Sequence, residues 1–165
     1  MKKILKSMLT FFYTSLVRRQ CKAKGDGLKV NGYSRVSGST VLGNNIHFNG
    51  MIISGLGIVS IGDNFHSGKG CLMISQIHNY DKGSMIPYDD TYIYKNILIE
   101  DNVWLGDRVI ILGGVIIGEG AIIQAGSVVV NDIPKYSIAG GHPAKVFSHR
   151  DIEHYKDLKF KKNFN

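Results

Sequence analysis

Residues 99–134 read IEDNVW LGDRVI ILGGVI IGEGAI IQAGSV VVNDIP, six hexads in unbroken register. The first position is aliphatic every time, as Ile99, Leu105, Ile111, Ile117, Ile123 and Val129. The second is often Gly or acidic, the third and fourth are mostly Asp, Asn or Gly, and the fifth is Val, Ala, Ser or Ile. A period of six fits neither a 3.6-residue helix nor the alternation of one long strand. It fits a solenoid in which each hexad supplies a short strand and a turn. An inward aliphatic at the same place in every rung then builds a continuous core that no single hexad could bury alone.

Weaker hexads extend the pattern upstream through Val30–Arg35, Val36–Val41, Leu42–His47 and Phe48–Ile53. The register slips by one across residues 54–60 (SGLGIVS), which predicts a bulge or altered turn, and IGDNFH (Ile61–His66) restores it. SGKGCL and MISQIH follow, with Ser67 a poor core residue at a first position. After His78 the period vanishes for residues 79–96 (NYDKGSMIPYDDTYIYKN). Long unpatterned loops inside compact domains are commonly functional.

The 165-residue length suggests one domain with a sizeable core. Two cysteines are too few for a disulfide scaffold and point to a reduced, cytoplasmic setting. The net charge of +7 is unevenly distributed. Residues 1–24 hold seven bases and no acid, residues 25–144 seven against ten acids, and residues 145–165 six against three. The body is thus mildly acidic, which argues against a nucleic-acid platform and places any anionic surface or ligand near the ends. Residues 1–19 (MKKILKSMLTFFYTSLVRR) carry a helical stripe of Ile4, Leu5, Met8, Leu9, Phe12, Leu16 and Val17 among bases. The apolar run is too short to span a bilayer and lacks a convincing signal-peptide cleavage site. Such a helix packs on the solenoid or a partner subunit, or rests peripherally on the inner membrane face; amphipathicity serves both. Residues 20–29 read as a Gly- and Lys-rich hinge, and residues 148–165 as a charged helix and tail after the domain ends near Phe147.

The hexads resemble the [LIV]-[GAED]-x-x-[STAV]-x repeat of the left-handed parallel β-helix acyltransferases. That resemblance implies an all-β triangular coil, an exception to right-handed crossovers. It also implies acetyl-CoA as co-substrate and a homotrimer with active sites between neighbouring solenoids. In QIHNYD, His78 lies seventeen residues after Ile61, the offset of the family's active-site histidine, although Asn79 and Tyr80 replace the usual Pro and aliphatic. An imidazole titrating near pH ~6.5 suits a general base for an acceptor hydroxyl. Asp81 could orient it, and residues 79–96, with Tyr88, would form the acceptor pocket. Asn49 falls near a family sugar-contacting asparagine, or is simply a turn asparagine tolerating left-handed backbone.

Asn102–Asp107 (NVWLGD) resembles the family's N-V-W-I-G block, and Trp104, the sole tryptophan, falls at an outward sixth position. By resemblance, Asp107, Ala125, Val130 and Asn131 follow the pantetheine and adenine track, where small residues such as Gly113, Gly114 and Gly126 admit close approach. Ala139–Val146 (AGGHPAKV) matches the family's closing aGxPAKvI segment, which sets Lys145, with Arg150, facing the 3′-phosphate. The C-terminal stretch resembles acetyltransferases of capsule and O-antigen, which directs the expectation to a surface-polysaccharide hydroxyl. Acetylation of serine, an amine or an antibiotic, or a non-catalytic membrane scaffold, remain the alternatives. His47 and His66, at last hexad positions, are expected at turns. The solenoid also occurs in zinc-dependent γ-type carbonic anhydrases, but the repeats lack their closely spaced histidine pair, so no metal is expected.

Overall fold

A computed structural model describes residues 2–165. The period of six becomes geometry directly, because every third hexad stacks on the one before it. Three parallel ladders form the faces of a triangular coil. The first face stacks Ala23–Lys24, Thr40–Leu42, Val59–Ile61, Ile97–Ile99 and Ile116–Ile117. The second stacks Lys29–Val30, His47–Phe48, His66–Ser67, Trp104–Leu105, Ile122–Ile123 and Ser137–Gly141. The third stacks Met51–Ser54, Cys71–Ile74, Ile110–Leu112 and Val128–Val129. This is the expected parallel β-helix. First-position residues pair with one another from coil to coil, as in Leu42↔Ile61↔Ile99↔Ile117. Phe48, Leu105, Ile111, Ile117, Ile123 and Val129 are completely buried in the resulting core.

The polar third and fourth positions hold the corners. Asp63 Oδ1 accepts from the Asn44 amide at 2.7 Å, Asp101 Oδ1 from the Asp63 amide at 2.8 Å, and Asp107 Oδ1 from the Lys69 amide at 2.7 Å. Each acid therefore satisfies the turn of the coil beneath it. Asn45, Asn64 and Asn102 form a side-chain ladder along one corner, with Asn45→Asn64 at 3.0 Å and Asn64→Asn102 at 2.9 Å. All three have positive φ, at 54°, 55° and 60°, which asparagine tolerates better than most residues. At the second position glycine allows coils to close up: a Cβ on Gly106 would come within 2.6 Å of the Ala125 amide nitrogen.

The longer corner falls in the segment where the periodicity slips, and it is preceded by a turn one residue short. Ile53, five residues after Phe48, pairs with Met73 and fills the third-face core position, so the longer corner begins at Ser54 and includes Gly55 at φ +98°. Ser67 does occupy a core position and is buried. The supposed hinge is largely the first rung, since Ala23 and Lys24 pair with Val41 and Leu42. Helix α1 (Lys2–Gln20) caps the open end of the coil. Val17 is fully buried, Thr14 Oγ1 accepts from the Val30 amide at 3.0 Å, and Gln20 Oε1 accepts from the Val36 amide at 3.0 Å. At the other end Ser137–Gly141 pairs antiparallel with Ala144–His149, and α2 (Ile152–Phe160) follows, N-capped by Asp151.

Candidate active site

The repeat breaks where two strands leave the third face. Ser75 is fully buried; its hydroxyl donates to the Ser54 carbonyl at 3.0 Å and its own carbonyl accepts from the Lys95 amide at 2.8 Å. These bonds fix both ends of the excursion to the corner between the third and first faces. The segment expected as an unpatterned loop is a hairpin: Gln76–His78 pairs antiparallel with Tyr92–Tyr94, in the register His78↔Tyr92. Alternating Tyr-Ile-Tyr explains the strand, because β-branched and aromatic side chains suit a pleated surface.

His78 ends the first of these strands. Its ring stacks on Tyr88, with centroids 3.7 Å apart and planes 19° from parallel, and packs against Tyr92 at 4.6 Å. Nδ1 is buried without a hydrogen-bond partner in the chain. Asp81 is exposed and does not bond to Nδ1. In this chain the imidazole plane is set by two tyrosine rings rather than by a carboxylate. The acid that shapes the hairpin is Asp89, which accepts from the Ser84 amide at 2.7 Å, the Thr91 amide at 3.0 Å and both residues' hydroxyls. These bonds, led by the Thr91 hydroxyl, hold the Asp89 carboxyl far below the usual carboxylate range. They also fix the backbone on either side of Tyr88 and Tyr92. The signal for Asp89 in the sequence is the D-x-T pattern of a capping turn, Asp89 to Thr91.

The small-residue track lies on coils beyond this hairpin. A Cβ on Gly113 would come within 2.6 Å of Lys95 Cβ, so glycine there lets the hairpin's return strand lie against the next coil. Ala125 and Gly126 are exposed at the corner between the second and third faces, and open space surrounds Gly126. Val130 and Asn131 are exposed at the corner between the third and first faces, which also carries the hairpin. Asp107 is exposed, though its Oδ1 caps the Lys69 turn. Lys145 projects from the last strand opposite Gly140. Val130 and Asn131 thus share with His78 and Tyr88 the corner between the third and first faces, and Ala125 lies at the other corner of the third face.

Other expected site residues are placed differently. Trp104 lies in the middle of the second face, paired with His66 and Ile122, and within this chain it is apart from His78. With His66, Tyr155, Leu158 and Phe164 it lines a cavity of about 520 Å³ under α2. Arg150 does not extend as a free cation: its Nε donates to the Gly120 carbonyl and its guanidinium lies 5.6 Å from the Tyr155 ring centroid. The arrangement gives it a structural role in docking α2. Asn49 is committed to a corner ladder, accepting from Asn31 at 3.0 Å and donating to the Ser67 carbonyl at 2.7 Å, and the left-handed residue is its neighbour Gly50. His47 and His66 sit on strands, not turns, with ring centroids 4.2 Å apart. Burial lowers both pKa values; His66 and Lys29 lower that of His47 further, and Lys29 adds to the lowering at His66. His149 and His154 have the five-residue separation absent from the repeats, but both are exposed at the C-terminal end. Among the described residues no three His, Cys, Asp or Glu side chains are grouped to hold a metal.

Comparison with known proteins meets this geometry at the repeats. The family model for the bacterial transferase hexapeptide (six repeats) matches residues 96–131, the same run whose first positions form the core. Over these residues the chain carries the hexapeptide repeat that this model describes. Among solved structures, this hexapeptide-repeat protein is similar to a galactoside acetyltransferase in complex with coenzyme A, at 25% identity and TM-score 0.73, covering 93% of this chain and 83% of that one. It is also similar to a hexapeptide-repeat acetyltransferase from Vibrio cholerae O1 biovar eltor complexed with acetyl coenzyme A. There the identity is 28% and the TM-score 0.55, over 81% of this chain and 69% of that one. A maltose O-acetyltransferase from Clostridium difficile 630 shares the fold at 23% identity and TM-score 0.65, over 89% and 85% of the two chains. A search of curated proteins returns no match.

Proposed function

We propose that this hexapeptide-repeat protein transfers an acetyl group from acetyl-CoA to a sugar hydroxyl, with His78 as the general base. The observation that carries the reading is the imidazole itself. It stands where the solenoid is interrupted, its plane fixed by Tyr88 and Tyr92 and one ring nitrogen buried. Burial of Nδ1 leaves Nε2 as the nitrogen to meet an acceptor. Nε2 takes the acceptor's hydroxyl proton as that oxygen attacks the thioester carbonyl. The carbonyl carbon then releases the CoA sulfur, which recovers the proton from the imidazolium. No acyl-enzyme is formed, and the histidine ends the cycle neutral.

Acetyl-CoA fits the third face and its corners because Ala125 and Gly126 leave the backbone approachable and Lys145 supplies a free cation near the closing strands. The related galactoside acetyltransferase and the Vibrio enzyme were solved with coenzyme A and acetyl coenzyme A, which supports the same donor here. Exposed Tyr88, Tyr92 and Tyr94 give the hairpin a set of aromatic surfaces suited to the apolar faces of a pyranose. We assign the acceptor to a surface polysaccharide or its precursor, and the working form to a homotrimer. Buried Nδ1, unpartnered within one chain, is consistent with a site completed at a subunit junction. No helix among the described residues is long and apolar enough to cross a membrane. We place the trimer in the cytoplasm, in peripheral contact with the inner membrane.

The test is CoA release from acetyl-CoA across a panel of simple and oligomeric sugars, serine, primary amines and chloramphenicol. Turnover with saccharides supports the assignment. Turnover confined to serine, an amine or chloramphenicol would refute it.

A further inference from the structure

Helix α1 carries two different surfaces. Its solenoid side is Thr10, Tyr13, Thr14, Val17 and Gln20, of which Val17 is fully buried and Thr14 and Gln20 bond to first-coil amides. At 3.6 residues per turn, Ile4, Leu5, Met8, Leu9, Phe11 and Phe12 share an arc of about 160° centred on the other side. All six are exposed, Phe11 to 79% and Ile4 to 66%. Capping the solenoid therefore leaves the more apolar side of the helix uncovered, the reverse of what a simple packed helix does.

The charge of the helix as a whole selects its occupant. Residues 1–24 hold seven bases and no acid. The first turn of α1 has no acid to complement the positive end of the helix dipole, and Lys3 and Lys6 near that end add to it. Two such segments facing each other would have apolar contact but no opposite charge. An anionic lipid surface supplies both, since headgroups neutralise the bases while the apolar side chains enter the acyl boundary.

We infer that α1 docks this protein on an anionic membrane surface through Ile4, Leu5, Met8, Leu9, Phe11 and Phe12, while Tyr13, Thr14 and Val17 hold the solenoid beneath it. The inference deepens the peripheral location proposed above and makes no use of His78 or the acetyl donor. A helix so placed would bring the hairpin site near a membrane-bound saccharide acceptor.

The experiment is co-sedimentation of the full chain with vesicles of phosphatidylcholine alone or with about 30% phosphatidylglycerol. Two variants accompany it, Phe11→Ser with Phe12→Ser, and Lys3→Glu with Lys6→Glu. Each is checked for mass in solution by light scattering and for acetyl transfer to a soluble sugar. The wild type should bind the anionic vesicles and lose binding as salt rises. The serine pair should weaken binding at least about tenfold, the loss of two interfacial aromatics, and the glutamate pair should remove the preference for anionic lipid. Mass and acetyl transfer should not change. Failure of the wild type to bind anionic vesicles overturns the inference, as does a drop in oligomer mass for the serine pair, which would assign the arc to a subunit interface. Loss of acetyl transfer in wild type with vesicle binding intact would count against the catalytic reading alone.

Discussion

Replacing Tyr155 with Phe tests how the C-terminal helix is held. Helix α2 spans nine residues and has no buried residue, so neither its length nor a hydrophobic face secures it. It is fastened by polar ties. Tyr155 Oη accepts from Asn102 Nδ2 at 2.8 Å, which ends the asparagine ladder, and donates to Glu119 Oε1 at 3.0 Å. Lys159 pairs with the same Glu119. Burial raises the Glu119 pKa, but Lys159, Tyr155 and Lys135 outweigh it and keep the carboxyl below its ordinary range, hence ionised as an acceptor. A neutral hydrogen bond contributes about 1 kcal/mol and one to a carboxylate about 1.5–3 kcal/mol. Water reaches these half-exposed groups once the helix loosens and returns part of that, leaving about 1–2 kcal/mol for Tyr155→Phe. The population of the undocked helix should therefore rise about 5–30-fold. Hydrogen exchange at the amides of residues 152–160 should accelerate by that factor while the solenoid strands keep their protection. Trp104 offers a second reading, because it is the sole tryptophan and shares a cavity with Leu158 and Phe164. Its fluorescence should become more accessible to acrylamide. Unchanged exchange in α2, or an equal loss of protection throughout the solenoid, would refute the reasoning.

Other perturbations separate the core, the hairpin and the donor track. Ile111→Ala removes a fully buried side chain between stacked coils and should cost about 2–5 kcal/mol in urea unfolding; a change below about 1 kcal/mol would mean the stack collapses around the loss. Asp89→Asn keeps the side chain's shape but turns one oxygen, now accepting from either Ser84 or Thr91, into a donor. Acetyl transfer should fall while the far-UV spectrum is kept. Because the folded-state pKa of Asp89 is depressed, its contribution is present above the ordinary carboxyl pKa of about 4 and is lost as pH falls below it. Proteolysis of the hairpin should accordingly increase in acid for the wild type and be less acid-dependent in the variant. Lys145→Ala should raise the KM for acetyl-CoA with little effect on Tm, whereas Arg150→Ala should lower Tm and leave that KM nearly unchanged, given its bond to the Gly120 carbonyl. A large KM effect at Arg150 would return it to the donor site.

The core and the order of the faces were readable because each inward position recurs and burial demands an aliphatic there. The corners were less legible. Asp63, Asp101 and Asp107 looked like turn composition, yet each bonds a backbone amide on the coil beneath, a relation eighteen or more residues apart that local patterning does not reveal. The bulge at residues 54–60 was legible, but the short turn between Phe48 and Ile53 was not, because a corner can lose or absorb a residue without disturbing the apolar spacing far away. At the hairpin, His78 and Tyr88 were singled out by position, but Tyr92 and Asp89 were not. Tyr92 meets His78 through antiparallel register across fourteen residues, whereas Asp89 rather than Asp81 forms a local clamp with Ser84 and Thr91. Trp104 and Arg150 show the opposite limit, since a motif match fixes a residue's rung but not which side chains from α2 cover it.

The central claim is that His78 removes the acceptor's proton. The most direct measurement is single-turnover acetyl transfer to the best saccharide acceptor by the wild type, His78→Ala and His78→Gln, alongside acetyl-CoA binding by calorimetry. General-base catalysis predicts a loss of about 10²–10⁴-fold in the chemical step for both variants, with the acetyl-CoA Kd nearly unchanged. Transfer by either variant within a few-fold of wild type would contradict the claim.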